Sequence, residues 1–527
     1  MTGTWALVRL ALRKDRILLP AWIIGLAAMV TVSVSATTGL YPTEASRVAA
    51  ADTINATAAL VALYGRIYDP TSIGALSLIK MTAFGAALVG IVFVFIVVRH
   101  TRTEEETGRL ELLAAGVIGR STPLAAGLLT GILASLGLGV LTTCGLIAVG
   151  LPVSGSVAFG LAWLLSGVVF SSIAAVAAQI TTSHRGAIGL GMVAVGLSYG
   201  FRAVGDLAEH GPSALSWLSP IGWSQQLRPF AGNRWLVALL PALASTLLIP
   251  LAFWLRSRRD LGAGLMSDRP GPAVGDIAGT ARLAWRLQRG MFVAWLAGSV
   301  ILGAVLGSAA RNVTGLLTSP QMRQYLTLLG GEHGLITAFL AAEVGIMGSI
   351  LAAYAISTTS RLRAEESTGH AEVVLATATS RIRWALSHFA VAMGGVTIVL
   401  LATGAAIGLA HGIAIGDPWY QTGRLLLAAA AQAPAIWVLA SLTLLLFGWL
   451  PRATTGAWGL LVACVVIGEF GVLWQLPQWL LDLSPLAHSP KLPGGPVAAL
   501  PLVLLTVTAA VIASIGLVGW ERRDLQT

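Results

Sequence analysis

Two stretches of this chain concentrate carboxylates at a spacing that could do chemistry, and one is a copy of the other. Arg102-Thr-Glu104-Glu105-Glu-Thr107-Gly108-Arg-Leu-Glu111 runs on to Arg120, and Arg363-Ala-Glu365-Glu366-Ser-Thr368-Gly369-His-Ala-Glu372 runs on to Arg381, each matched residue lying 261 positions later. On an α-helix Glu104, Gly108 and Glu111 stand at i, i+4 and i+7, on one face, as do Glu365, Gly369 and Glu372. Each copy then offers two carboxylates flanking a gap. Glycine within a helix costs roughly 1 kcal/mol against alanine, so its recurrence points to a second backbone approaching there. Thr103 and Glu106 have capping-box spacing in the first copy, whereas Ala364 and Ser367 cannot form the same box. The chemistry this pattern predicts is docking, a short acidic element received by a partner. The plainer alternative is a solvated acidic helix start favoured by the helix dipole.

Catalytic patterns are missing from the sequence. The lysines are Lys14, Lys80 and Lys491, and none completes a G-x-x-x-x-G-K-[ST] loop, so the chain is not expected to hydrolyse ATP through a P-loop of its own. There is no H-E-x-x-H pair, no G-x-S-x-G elbow and no cluster of His and Cys, so neither a metal site nor a cofactor is expected in this chain. Asp52, Asp69, Asp206 and Glu209 have no spacing that favours a membrane glycosyltransferase over ordinary loop carboxylates. Cys144 and Cys464 fall inside apolar runs and read as packing residues.

The elements that position the repeated motif are membrane spans. A chain of 527 residues that is 56% hydrophobic and 11% charged fits an all-α polytopic membrane protein and not a soluble domain. Apolar stretches of about 20 residues mark twelve spans, near 17–36, 81–98, 124–149, 157–179, 186–204, 235–255, 291–309, 338–359, 384–413, 425–449, 456–474 and 497–520. The third and ninth are long enough to contain breaks. With the N-terminus inside, 23 Lys and Arg fall in cytoplasmic segments, 9 in external ones and one, Arg202, within a span, which puts both termini in the cytoplasm. The net charge of +10 thus reflects topology and no nucleic-acid partner is expected. The first apolar run follows Arg13-Lys14-Asp15-Arg16 and is long for a cleaved signal peptide, so an uncleaved first span is expected.

The duplication extends beyond the polar motif. Leu10, Arg13, Arg16, Ala21, Trp22 and Gly25 match Leu283, Arg286, Arg289, Ala294, Trp295 and Gly298; Ser219-Pro220 matches Ser484-Pro485; and Arg258-Arg259-Asp260-Leu261 matches Arg522-Arg523-Asp524-Leu525. The matches keep their order, so the chain reads as a first membrane half (1–255), a Pro- and Gly-bearing cytoplasmic linker (256–280) and a second half (281–527). Six spans per half make these two parallel six-helix repeats, inserted the same way up, with one central pathway between them. Trp5 to Arg16 and Ala281 to Arg289 are basic and amphipathic and read as interfacial helices ahead of each first span, or else as topogenic charge clusters.

These features together resemble the permease subunit of a bacterial ABC-2 type ATP-binding-cassette exporter, in the branch similar to tetronasin-resistance and polyketide-antibiotic efflux permeases. The residues that carry the resemblance are the E-E-x-T-G-x-x-E element with its trailing Arg, the stretch from Arg258 to Leu265, and Leu218-Ser-Pro-Ile-Gly-Trp223 with Arg228-Pro229. What it implies is a type V exporter-like fold in the bacterial cell membrane. In such a fold Glu104, Glu105, Gly108 and Glu111, with Glu365, Glu366, Gly369 and Glu372, would couple to a separate nucleotide-binding subunit, and the interfacial helices bearing Arg13, Arg16, Arg286 and Arg289 would brace the coupling elements. Two copies of that protein, carrying ATP and Mg, would power efflux of lipophilic or amphipathic compounds such as antibiotics. Typical members have six spans and dimerise, whereas this chain fuses two halves. The resemblance also implies that residues 205–233 and 475–496 re-enter the outer leaflet as gates, with ordinary external loops as the alternative. An ion-gradient-driven secondary transporter of twelve spans remains the other reading; it should place several ionisable groups at mid-membrane, and only Arg202, Glu343 and Glu469 fall in or near spans.

A central pathway would have Phe84, Phe93, Phe95, Tyr199 and Tyr354 as its aromatic contacts, or these residues simply pack. Gly186, Ala187, Gly189 and Leu190 match Gly456, Ala457, Gly459 and Leu460, an offset of 270 that maps Arg202 onto Val472, three residues beyond Glu469, so Arg202 and Glu469 are expected at similar depth and could close the outer end as an ion pair. In the alternative, Arg202 snorkels outward and Glu469 hydrogen-bonds to nearby indole or backbone groups. The topology is tested by single cysteines at Ser46 and Ser367 in a background lacking Cys144 and Cys464. They should react with a membrane-impermeant reagent from opposite sides, and labelling from one side would overturn it.

Overall fold

A computed structural model describes residues 3–56, 58–110, 119–207, 212–260, 262–266, 279–310, 331–470, 477–495 and 499–525. These residues form helices and no strand. Eleven of the described helices are long and apolar enough to cross a membrane, and Gly456–Val465 is a shorter apolar segment at the position of the expected span 456–474. Residues 471–476 of that span lie outside the described residues, as do 267–278 of the expected linker. The chain is an all-α, multi-pass membrane protein, and it divides into two compact units, Met1–Gly271 and Pro272–Thr527.

In the first unit α1 (Thr4–Lys14) buries Val8 and Ala11 and is followed, after a turn at Asp15, by the first span α2 (Leu18–Leu40). Helices α3 (Glu44–Ala56) and α4 (Ala58–Tyr64) lead to α5 (Ile73–Lys80), which runs through a π-turn at Met81–Gly85 into α6 (Ala86–His100). A π-turn loosens the local ladder; the Trp163 indole answers it by donating to Met81 O at 3.1 Å. The short α7 (Arg102–Glu106) begins the polar motif. Then come α8 (Thr122–Ala148), α9 (Val153–Ile180), α10 (His184–Asp206), the short α11 (Ala214–Leu218) and α12 (Pro220–Gln226), and α13 (Leu239–Ser257). Helix α6 lies at the centre, its Phe93, Val94, Val97 and Val98 packed against α8 and α9. Gly139 of α8 meets Gly160 of α9 so closely that an added Cβ would strike backbone, the small-residue packing by which apolar helices associate in lipid.

The second unit repeats this order with differences. Its helices are α14 (Thr280–Ala309), α15 (Gly331–Thr359), α16 (Arg361–Ser367), α17 (His370–Leu375), α18 (Arg381–Ile415), α19 (Pro418–Ala430), α20 (Ala433–Trp449), α21 (Gly456–Phe470), the short α22 (Gln478–Leu481) and α23 (Ala499–Arg522). Leu351, Trp384, Phe389, Val399, Leu439, Phe447 and Trp520 form its main core. The expected interfacial helix at 281–289 is not separate, because α14 runs unbroken from Thr280; nothing there matches the turn at Asp15. The third and ninth spans, α8 and α18, are also continuous. The break falls instead at Ala431–Gln432, just before Pro434, whose ring and missing N–H end an α-helix running into it.

The polar motif is not one helix with a glycine in its interior. Helix α7 ends at Glu106 and Gly108 has φ +71°; α16 ends at Ser367 and Gly369 has φ +76°. Glycine is there because a left-handed turn needs it, and no atom lies within 4 Å of an added Cβ at either position. Glu104 and Gly108, like Glu365 and Gly369, therefore do not share a helical face, and Glu111 lies outside the described residues. Gly369→Ala should cost about 1–2 kcal/mol from the backbone alone and lower the thermal unfolding midpoint of the purified protein. An unchanged midpoint would refute the turn.

Candidate functional site

Both copies of the motif are built around a buried carboxylate held by arginines. In the first unit Glu105 accepts from Arg259 Nη1 at 2.6 Å and Nη2 at 2.8 Å, from Arg102 Nη1 at 3.0 Å and from the Gly262 backbone N–H at 2.8 Å. Arg102 is fully buried and also donates to the carbonyls of Thr182, Gly262 and Ala263, while Arg259 donates to Gln179 Oε1 at 2.9 Å. In the second unit Glu366, 1% exposed, accepts from Arg523 Nη1 at 2.6 Å and Nη2 at 2.8 Å and from Arg363 Nη1 at 3.0 Å. Arg523 lies beside the rings of Trp520 and Phe447, 4.7 and 5.0 Å from their centroids. The trailing arginines complete each clasp: Arg120 donates to Arg259 O at 2.7 Å and Arg381 to Arg523 O at 2.6 Å.

Each clasp thus ties the start of the polar motif to the chain just beyond the last span of its unit. Glu105 and Glu366, to which the family resemblance would give a coupling role, turn their carboxylates inward. Their partners come from the R-R-D-L stretch, so the co-duplication of that stretch with the acidic motif was the available signal. Glu104 is paired with Lys14 of α1, and Arg109 lies 3.9 Å from it. Glu365 is buried and accepts from Arg361 Nε at 2.6 Å. The capping box at Thr103 and Glu106 does not form; Glu106 accepts from the His184 N–H at 2.6 Å. What faces outward is the turn: Glu106, Thr107 and Arg109 in one copy, and Ser367, Thr368, His370, Glu372 and Val373 in the other. Val373 is 73% exposed, an apolar side chain amid polar ones.

The residues of the expected brace lie at the surface of their units. Arg13, Arg16, Arg286 and Arg289 are all exposed. In the first unit the contacts come from Lys14 and Asp15, the latter buried, with His100 Nε2 2.6 Å away and Arg99 Nε 3.1 Å away. In the second the buried Gln288, rather than an arginine, reaches His388 at 3.2 Å.

Residues 277–521 match the family described as "Multidrug efflux system permease Rv1217c, C-terminal domain". Over its full length the chain is similar to the multidrug efflux system permease protein Rv1217c of Mycobacterium tuberculosis (strain ATCC 25618 / H37Rv), 40% identical over 535 residues that take in 100% of this chain and 96% of the relative. The chain belongs to this family of multidrug efflux permeases.

The permease's expected pathway residues are placed unevenly. Phe84 and Phe95 are 44% and 47% exposed. Phe93 and its repeat mate Tyr354 are fully buried in the cores of their units. Tyr199 is half-buried, its hydroxyl donating to Leu63 O. Arg202 is held within its own unit. It is 0% exposed and donates to the Ala62 carbonyl at 2.6 Å and the Leu63 carbonyl at 3.3 Å, at the C-terminal end of α4, with Asp206 Oδ2 3.4 Å away. The terminal carbonyls of a helix carry partial negative charge, so this site neutralises Arg202 inside the first unit. The Glu469 side chain lies outside the described residues.

Beyond the fifth span of each unit the chain folds back on a matched anchor. Ser219 Oγ donates to Ser198 O at 2.5 Å, and Ser484 Oγ to Cys464 O at 3.4 Å. In the first unit the following loop is strained, with Arg228, Phe230 and Asn233 at positive φ. The Arg228 guanidinium lies 3.7 Å from the centroid of the Tyr68 ring, and Gln226 Nε2 donates to the Tyr68 hydroxyl at 2.8 Å. Burial pushes the Tyr68 phenol above its ordinary value and the Arg228 guanidinium below its own.

Removing one member of a buried ion pair strands the other charge, at a cost of about 3–5 kcal/mol. Glu105→Gln and Arg259→Met should each destabilise the permease by that amount, and the double variant by clearly less than the sum. The same should hold for Glu366→Gln and Arg523→Met. Additive losses in a denaturation series would show that the clasp bonds carry no stability.

Proposed function

We propose that this permease is the membrane subunit of an ATP-driven ABC exporter of lipophilic or amphipathic compounds, powered by two copies of a separate nucleotide-binding protein. In this reading both termini and both polar motifs face the cytoplasm. The observation that carries it is the pair of clasps. Each makes an exposed turn mechanically continuous with the last span of its unit, α13 or α23, through a buried bidentate Arg–Glu pair, whose geometry is directional. A partner pressing on Thr107–Arg109 or on Thr368–Val373 would act on that span without passing through a flexible loop. Transport then depends on ATP and Mg held by the partner, since the sequence has no P-loop.

The coupling role moves accordingly. Glu105 and Glu366 position the turns, Gly108 and Gly369 shape them, and the exposed residues with Glu372 meet the partner. The fold-back segments after the fifth spans serve as outer gates; the Ser219 and Ser484 bonds support this, because irregular backbone at membrane depth must find its partners within the protein. The ion-gradient alternative draws on Glu343, a carboxyl buried within a span.

The permease should co-purify with a nucleotide-binding subunit, and the complex should hydrolyse ATP faster with substrate present. Arg109→Glu combined with Val373→Asp should abolish that stimulation and weaken co-purification while leaving the unfolding midpoint of the permease unchanged. Full stimulation in the double variant would remove the turns from the interface. Transport by the chain alone, driven by a proton gradient, would favour the alternative.

A further inference from the structure

The second unit holds a set of hydrogen-bond acceptors without donors. Glu343 of α15 is 4% exposed, and among the described residues neither carboxylate oxygen has a hydrogen-bond partner. Its neighbours on α15, Leu340, Val344 and Met347, pack in one apolar cluster with Ile407 of α18 and Leu425 of α19. One helical turn from those two residues stand His411 and Gln421, both buried, with His411 Nδ1 and Gln421 Oε1 likewise unpartnered among the described residues. The cationic side chain on α19, Arg424, is turned to the Pro493 carbonyl at 3.1 Å. The repeat mate of Glu343 is Thr82, whose hydroxyl donates to its own helix at Ile79 O, 2.8 Å away. The first unit therefore carries no such carboxylate at the matching position.

A carboxylate within a membrane helix is expensive without a positive partner, and an unsatisfied buried acceptor adds to the cost. We propose that Glu343 is the anchor of a site for the protonated amine of a lipophilic substrate. The ammonium supplies the missing charge to Glu343, and its apolar body lies against Leu340, Val344 and Met347 of the same helix. An apolar wall with a few converging polar groups is the usual make-up of a small-molecule site, and methionine lends such a wall adaptability. A neutral analogue of the same shape keeps the wall contacts and loses the anchor. The proposal rests on membership of the multidrug efflux permeases and not on the ATPase partner.

The test is direct binding to the full chain in lipid nanodiscs, with empty nanodiscs subtracted, so a missing ATPase partner cannot affect it. The probe is dansylcadaverine, a fluorescent lipophilic primary amine, and the control is its N-acetylated, uncharged form. The wild type should bind the amine roughly tenfold or more tighter than the control, a difference of the size one charge-assisted contact confers. Glu343→Gln should erase that preference while leaving the affinity for the acetylated probe unchanged, and Glu343→Asp should keep it. The site is refuted by a wild type without preference, by a Gln variant that retains it, or by an Asp variant that loses it as fully as Gln.

Discussion

The buried carboxylate at the start of each polar motif constrains the rest of its unit. Glu105 and Glu366 can sit inside the protein because two arginines reach each of them, and those arginines come from one turn away and from about 155 residues away, with the second set by the end of the unit. The chain beyond the last span must therefore return to the motif before either charge is tolerable. A buried pair of this kind is weak evidence for stability, since apolar groups of equal volume often serve as well. Its value lies in position: a bidentate Arg–Glu pair accepts one geometry, and it sets where the exposed turn stands.

Around that shared device the halves differ. The first unit has a separate amphipathic helix ahead of its first span, and the second a single continuous helix. The fourth span is unbroken in the first unit and interrupted at Ala431–Gln432 in the second. One half carries Thr82 where the other carries Glu343. The clasps, the trailing arginines and the Ser–Pro anchors are the parts held in common. They lie where a helix end or an irregular segment leaves polar groups that lipid cannot satisfy. The freedom to diverge lies within the spans, where apolar side chains of similar volume can be exchanged at little cost.

Much of the architecture was legible in the residues alone. Spans announce themselves because apolar runs near 20 residues have no other stable use, and order-preserving matches at nearly constant offset reveal a duplication whatever the fold. The motif was found, but the shared helical face of its carboxylates was misread. A carboxylate's helical face can be read from spacing only if the helix persists, and the left-handed turns at Gly108 and Gly369 end it. The same two glycines were visible as unusual, with the wrong physical cause attached.

By itself the sequence determined an all-helical, duplicated membrane protein with paired acidic motifs, because periodicity, hydropathy and repetition are local properties. Only the tertiary structure decided which charges are spent and which remain open. Arg202 is neutralised by carbonyls about 140 residues before it, Glu105 by Arg259, and Glu366 by Arg523. Glu343 is buried on a helix whose Leu340, Val344 and Met347 pack with α18 and α19. Whether a charge is partnered depends on the distance between groups remote along the chain, and helix packing alone sets that distance.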